Sequence, residues 1–172
     1  MCIRYRNKIK NDKIRTGRMP LHLLVEKRGA LDVEVEGTII DIRPGSGFIT
    51  RCPECNRVLQ NSECSLHGTV EGNPDLRIKF IADDGTGAVN GVLNRDLTEK
   101  IFGKTLEECK KMDTDQLLAD MNKKLFACKV IMKGNALGDN FGTTFIPKEI
   151  DLVDVNLEEE AEKLSESLED LK

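Results

Sequence analysis

Four residues that carry metal-binding donor atoms lie close together in the stretch "RCPECNRVLQNSECSLHG", which runs from Arg51 to Gly68. Their spacing is Cys-x2-Cys, eight residues, then Cys-x2-His. Each two-residue gap lets a tight turn bring both side chains to one point, and thiolate sulfur and neutral imidazole are the donors that tetrahedral Zn²⁺ prefers. The pattern therefore predicts one structural zinc ion, and its ligands are Cys52, Cys55, Cys64 and His67.

The remaining cysteines, Cys2, Cys109 and Cys128, are scattered along the chain. The alternatives to a zinc site are a disulfide-bonded knuckle and a cluster without metal, but this distribution favours a reducing compartment and a bound metal. A catalytic zinc needs an open coordination position, and four protein ligands leave none. Since no nucleophile lies beside a base in any recognisable motif either, we expect a binding module and not an enzyme.

Charge is strongly segregated along the chain, although the net charge is only −4. Residues 1–28 contain nine Lys/Arg and two Asp/Glu, whereas residues 149–172 contain two Lys and ten Asp/Glu. This predicts a basic arm over 1–20 and an acidic segment over 156–172, and it requires any nucleic-acid surface to be locally basic. No apolar run approaches the ~20 residues of a membrane span, and the start lacks the apolar stretch of a signal peptide. We therefore expect a soluble, cytoplasmic protein without a membrane partner.

The segments on either side of the cysteines alternate apolar and polar residues, as β-strands do. "LDVEVEGTIIDIR" from Leu31 predicts a first strand, and "PGSGF" is expected to break it before the cysteine cluster. "DLRIKFIADDGTGAVNGVLN" predicts strand, tight turn and strand. One face of the first of these strands is apolar and is expected to be core: Leu76, Ile78, Phe80 and Ala82.

Residues 95–125 change to helical spacing, with Gly103 as a helix stop and a capping box from Thr105 to Glu108. "FACKVIMKG" and "TTFIPKEIDLVDV" predict two further strands, joined by a Gly/Asn hairpin, and Phe126 is expected in the core with Phe80. The last segment, Leu157 to Leu171, has the leucine spacing of an amphipathic helix.

This order predicts a mainly β protein whose centre is a five-stranded OB-fold barrel. A zinc knuckle at 51–68 is inserted between strands 1 and 2, a helix lies between strands 3 and 4, and an amphipathic helix follows the barrel. The predicted parts are a basic arm at 1–20, the barrel domain at 21–155 and the acidic helix at 156–172.

Such barrels bind oligonucleotides on the face of their second and third strands and between two flanking loops. Cations that follow the phosphates and rings that stack on bases provide single-strand affinity. The residues predicted to supply these groups on the strands are Arg77, Lys79, Asn90 and Asn94. Those predicted on the knuckle and the flanking loops are Arg51, Arg57, Phe48 and Phe141.

Two stretches resemble archaeal replication protein A, specifically its zinc-bearing OB domain: "GTIIDIRPGSGFITRCPECNRVLQNSECSLHG" and "DLRIKFIADDGTGAVNGVLNRDLTEKIFGKTLEE". The resemblance covers roughly residues 20–155. It implies a non-catalytic protein that coats single-stranded DNA in replication, repair and recombination, near the nucleoid of an archaeal cell. By position it also implies the same four zinc ligands. The implied partners are single-stranded DNA, other replication protein A subunits or OB domains contacted through Leu157–Leu171, and replication and repair proteins.

Two alternatives remain open from the sequence. The chain contains no Trp and only one Tyr, which is a poor supply of stacking side chains. It could therefore be an assembly subunit of a replication protein A-like complex with weak DNA affinity of its own. An RNA-binding zinc-ribbon OB protein is the other alternative, because OB grooves accept either nucleic acid.

Overall fold

The alternating segments of the sequence form the strands of a closed barrel, as the computed structural model shows for residues 18–154. Residues 1–17 of the arm predicted at 1–20, and the whole helix predicted at 156–172, including Leu157–Leu171, lie outside the described residues. The strands of the described part are β1 (Gly29–Ile42), β2 (Gly47–Arg51), β3 (Glu63–Cys64), β4 (Gly68–Thr69), β5 (Asn73–Asp83), β6 (Ala88–Leu93), β7 (Lys129–Asp139) and β8 (Gly142–Val153).

Five of these strands close the barrel in the order β1-β7-β8-β6-β5, with β5 returning to β1. β6 and β8 are parallel and the other barrel pairs are antiparallel. The long strand β1 pairs with β7 through residues 29–38 and with β5 through residues 38–42, and a register shift between Ile39 and Asp41 accompanies the change of partner. This topology confirms the predicted mainly β, OB-fold architecture.

The barrel core is built from the inward positions of the strands. Leu76, Ile78, Phe80 and Ala82 are each 0% exposed, as predicted. Phe80 lies opposite Gly91 in the β5–β6 register, and its ring occupies the space that a Cβ at Gly91 would need.

The prediction for Phe126 was wrong, since this side chain is 56% exposed at the C-terminal cap of a helix. The apolar strand pattern starts only at Lys129, so Phe126 precedes the strand whose periodicity placed it in the core.

Four helices pack on the described barrel: α1 (Leu21–Lys27), α2 (Arg95–Phe102), α3 (Leu106–Cys109) and α4 (Thr114–Leu125). The region predicted as one helix between barrel strands 3 and 4 is therefore three helices. Gly103 ends α2 in the left-handed conformation, and Thr105 and Glu108 form a capping box, as predicted. Within the described part of the chain, no helix has the length and apolar character needed to cross a membrane.

Helix α1 was not predicted, although Leu21, Leu23 and Leu24 on it are buried. Its first N–H group, on Leu21, donates to the Asp84 carboxylate at 2.8 Å, and so the β5–β6 turn fixes the helix end. Burial by itself would raise the pKa of Asp84, but this bond and those from Thr86 and Gly87 lower it. Leu21 and Leu24 of α1 thus extend the barrel core.

Candidate metal centre and nucleic-acid interface

The cysteine cluster is carried on an extension of the barrel sheet. Strand β2 pairs with the first half of β5, from Gly47 opposite Arg77 to Arg51 opposite Asn73. The insertion between the first and second barrel strands therefore begins with a strand, where the sequence had predicted only a break. The knuckle, predicted at 51–68, occupies residues 52–72 in the structure, because Arg51 belongs to β2 and β5 begins at Asn73, and it contains the small hairpin β3–β4.

The four predicted ligands converge, and their donor atoms all lie within 4.8 Å of one another. Cys52 Sγ is 3.4 Å and Cys64 Sγ 3.6 Å from His67 Nδ1, and Cys55 Sγ is 3.5 Å from Cys64 Sγ. A tetrahedral zinc ion separates sulfur from nitrogen by about 3.6 Å and sulfur from sulfur by about 3.8 Å. The spacing of the donors therefore fits a metal ion, and the four residues are close enough to bind one.

His67 has a carboxylate beside its far ring nitrogen, which the sequence analysis did not single out. Its Nδ1 faces the thiols, whereas its Nε2 lies 3.4 Å from Glu54 Oε2. A carboxylate on the far ring nitrogen fixes the orientation of a metal-binding histidine and raises its basicity. Glu54 lies in the Cys-x2-Cys turn, and that position is the signal that could have found it.

Cys64 is prepared to bind as a thiolate. A hydrogen bond from the Leu66 backbone N–H, with further bonds from the His67 backbone and from Cys55, lowers the pKa of Cys64 to about 6 although burial opposes the shift. Metal sites require deprotonated thiols. The same hydrogen bonds thus favour the thiolate form that a bound metal needs.

The barrel presents a second candidate site, which we call the outer face. It consists of outward-pointing side chains on four neighbouring strands: Arg77, Lys79, Ile81, Asn90, Val92, Thr144, Ile146, Asn135 and Leu137. Ile81, Asn90, Thr144 and Leu137 are in register as one row across β5, β6, β8 and β7. Two further cross-strand pairs, Lys79 with Val92 and Ile146 with Asn135, lie beside this row.

The outer face contains two cations and no carboxylate, although the protein as a whole is acidic. The carboxylates that border it on β5 are engaged: Asp75 pairs with Arg51, and Asp83 accepts the Gly85 N–H at 2.7 Å. Several apolar members are exposed, with Leu137 at 55% and Ile146 at 43%. Together these side chains form a locally basic surface with apolar and neutral polar groups.

Of the predicted strand residues, Arg77, Lys79 and Asn90 lie on the outer face. Arg77 Nε donates to Gly45 O at 2.8 Å, and burial, with Arg51 as a second cause, lowers its pKa. The strand placement of Asn94 was wrong, because β6 ends at Leu93 and Asn94 caps α2 by accepting the Leu97 N–H at 3.0 Å. In the sequence, Asn94 resembles a strand residue because it continues the two-residue alternation of β6.

The predicted knuckle and loop residues have separate environments. Arg51 is held by the Asp75 carboxylate, and Arg57 donates to Ser65 Oγ at 3.1 Å. Phe48 lies on β2 opposite Leu76 and not in a loop, because the glycine-rich stretch forms a strand after Gly47. Phe141 is at the β7–β8 turn, as predicted, and is 94% exposed.

Sequence reasoning missed the apolar part of the outer face. Ile81 and Val92 flank the predicted cations and asparagine on β5 and β6, and Ile146 and Leu137 continue the surface onto β8 and β7. The sequence does contain a signal for it, because these apolar residues occupy strand positions that alternate with the core positions.

A further cavity of about 670 Å³ lies beside β1 and the β5–β6 turn, and none of the predicted binding residues lines it.

Comparison with known proteins identifies similar folds only. The sequence matches no protein-family model and no curated protein. A chain of a replication protein A heterotrimer bound to single-stranded DNA is similar in structure, with a TM-score of 0.51 at 16% identity. The alignment covers 78% of this chain and 34% of that chain, so our protein spans about a third of its length.

Two other structures are more distant. Yeast replication protein A bound to single-stranded DNA has a TM-score of 0.48 at 14% identity, over 83% of this chain and 88% of that one. The second OB-fold domain of replication protein A from Methanococcus maripaludis has a TM-score of 0.38 at 10% identity, over 74% and 88%. Of the three likenesses, that to the heterotrimer chain supports the OB fold.

Proposed function

We propose that this protein binds single-stranded DNA on its outer face and belongs to the replication protein A type of OB proteins. The observation that carries the proposal is the composition of the outer face, where Arg77 and Lys79 lie beside half-exposed apolar side chains and no carboxylate. The similar heterotrimer chain comes from a complex with single-stranded DNA. The low aromatic content remains compatible with this function, because apolar groups supply part of the contact area.

Each class of side chain has its own role in this proposal. Lys79 and Arg77 contact phosphates, which supplies affinity that depends on salt but not on sequence. Asn90 and Thr144 donate or accept hydrogen bonds at bases and sugars. Ile146 and Leu137 pack against the same bases and sugars. Phe141, on the exposed turn, stacks on a base at the edge of the face. Arg57 extends the basic track onto the knuckle.

The knuckle binds one zinc ion through Cys52, Cys55, Cys64 and His67. A bound zinc ion would cross-link the knuckle and would not be catalytic, because the four protein ligands fill a tetrahedral shell. The knuckle then holds β2 against β5 at the end of the outer face. As a binding protein without catalysis, the chain would act with other OB subunits and with replication and repair proteins.

Two variants test the outer face directly in anisotropy titrations with fluorescent oligo-dT. Phe141→Ala should weaken binding by about tenfold, since a stacked base contributes roughly 1–3 kcal/mol. Lys79→Ala should weaken binding and reduce the slope of log affinity against log salt by about one, because it removes one phosphate contact.

The chain offers matched controls for both variants. Phe126→Ala removes another exposed ring, and Lys110→Ala removes another partly exposed lysine, and neither residue belongs to the outer face. Both controls should bind like the parent. Equal losses in variants and controls, or no loss in either, would place the binding surface elsewhere. Tighter binding to oligo-rU than to oligo-dT would favour the RNA-binding alternative.

A further inference from the structure

A polar cavity of about 420 Å³ lies between the knuckle and the N-terminus of α2. Asn56 of the knuckle, Asn73 at the start of β5 and Asn94 at the cap of α2 all line it. Two ion-pairing arginines and two aspartates complete its charged lining: Arg51, Arg95, Asp75 and Asp96. Three separate parts of the fold thus contribute amide side chains to one concave site.

The cavity continues the outer face. The last β5–β6 pair is Ile78 with Leu93, so the next residues along the two strands are Arg77 and Asn94. Arg77 belongs to the outer face and Asn94 lines the cavity. Arg51, which also lines the cavity, is close enough to contribute to the lowered pKa of Arg77. A DNA strand bound along the outer face therefore reaches this cavity without leaving the protein surface.

The lining does not have the character of a phosphate site. Arg51 is paired with Asp75, and Arg95 Nε lies 3.6 Å from Glu99 Oε1, so neither guanidinium is a free cation. The two arginines and two aspartates of the lining cancel in formal charge. The asparagine amides offer both donors and acceptors, and Asp96 adds carboxylate acceptors at the first turn of α2. These groups fit a neutral polar ligand that has donors and acceptors on one edge.

A nucleobase has such an edge. Asparagine pairs with adenine through its N6 amino group and N7, and aspartate accepts from the N4 amino group of cytosine. Thymine lacks an exocyclic amino group, and its single donor, N3–H, lies between two carbonyl oxygens that repel a carboxylate. The Asn94 Oδ1 atom is used by the Leu97 N–H, which leaves its Nδ2 group as the remaining donor.

We propose that the cavity lined by Asn56, Asn73, Asn94 and Asp96 is a base pocket that selects cytosine or adenine, whose amino group lies beside an acceptor ring nitrogen, at one position of the bound strand. The inference rests on the proposed single-stranded DNA binding and adds to it a sequence preference at a single nucleotide. All other positions contact the outer face through phosphates, sugars and stacking.

The test uses the zinc-loaded 172-residue protein and a set of oligo-dT strands in which one dC or dA is moved along the sequence. At one position the substitution should strengthen binding by about tenfold over uniform dT, since a well-placed base contact discriminates by that order. Asn73→Ala and Asp96→Asn should each abolish this gain and leave the affinity for uniform dT within about twofold. Asn122→Ala, on α4 outside the cavity, is the matched control and should keep the gain.

The outcomes distinguish failure of the base pocket from failure of single-stranded DNA binding. If uniform dT binds but no position responds to dC or dA, the base pocket is wrong and single-strand binding stands. A gain that survives both Asn73→Ala and Asp96→Asn places the readout outside this cavity and also overturns the inference. A preference for dG over dC and dA would also overturn the inference, because guanine contacts a carboxylate through N1–H and N2–H or an arginine through O6 and N7 and needs no amide. If a folded, zinc-containing protein does not bind uniform dT at all, both proposals fail.

Discussion

The Cys55→Ser variant should lose its bound zinc, from one ion per chain to none, and its knuckle should become the preferred site of proteolytic cleavage. Cys55 Sγ lies 3.5 Å from Cys64 Sγ, and replacing the thiolate by a hydroxyl removes one of four ligands. Zinc binding supplies on the order of 10 kcal/mol to the folding of small zinc domains. We therefore expect a folded-to-unfolded change confined to the knuckle, measured by metal analysis and limited proteolysis.

The local character of this change follows from the packing. The knuckle has its own small cluster of Cys52, Leu59 and Cys64, with Cys55 and Val70 packed against it. This cluster is separate from the barrel core, which contains the strand interiors and the buried faces of the helices. A few side chains cannot offset the conformational entropy of ordering some twenty residues, so the knuckle depends on the metal and the barrel does not.

Cys128→Ser is the matched control, because Cys128 is outside the cluster and its thiol only donates to Lys124 O at 3.3 Å. This variant should retain one zinc ion and the parent's cleavage pattern. Retention of stoichiometric zinc by Cys55→Ser would contradict the ligand assignment. Unfolding of the whole barrel on zinc removal would contradict the separation of the two cores.

Gly91→Ala should lower the free energy of unfolding of the barrel by about 2–3 kcal/mol, which is in the range of overpacked cores. Gly91 is on β6 directly opposite Phe80, and a Cβ there would overlap three carbons of the Phe80 ring. Phe80 is 0% exposed and closely packed, so the ring has little space into which to move. Thermal or chemical denaturation measures the loss, expected as a decrease in Tm of roughly 4–12 °C.

The double variant Phe80→Leu/Gly91→Ala separates the steric cause from a general preference for glycine. Leucine is smaller than the ring, so the alanine should cost less in this background, with a coupling energy of at least about 1 kcal/mol. Gly85→Ala is a useful comparison, because a Cβ there meets nothing within 4 Å and only its positive φ is strained. Strict additivity of Phe80→Leu and Gly91→Ala would contradict the proposed ring contact.

The barrel strands could be predicted because their periodicity is a direct consequence of burial. The inward residues Leu76, Ile78 and Phe80 alternate with Arg77 and Lys79. A period of two sustained over this many residues indicates a half-buried β-strand. The metal cluster could be predicted for a similar reason, since ligand type and spacing are set by the coordination chemistry. Glycine at 103 and the capping box after it identified two helix boundaries because both are local backbone effects.

The remaining features depend on tertiary contacts that have no local pattern. Strand β2 forms because β5 is long enough to extend beyond the barrel and pair with it, so the glycines before Phe48 do not end the sheet. Helix α1 is short and is held by the Asp84 carboxylate, which is distant in sequence. Phe126 precedes β7 at a helix end, where apolar character gives no information on burial. The outer face combines four strands, and only their register brings its residues together.

The most direct test of the central claim is a ¹H–¹⁵N correlation titration of the zinc-loaded protein with a short oligo-dT. Binding on the outer face predicts that the amide shifts concentrate at Lys79, Asn90, Thr144 and Leu137 and at the Phe141 turn, with little change along Thr114–Leu125 on α4. The shifts should diminish when salt is raised, because phosphate contacts contribute to the affinity. Shifts that concentrate on α4 or beside β1, or a spectrum that does not change with excess oligonucleotide at low salt, would contradict single-stranded DNA binding by this surface.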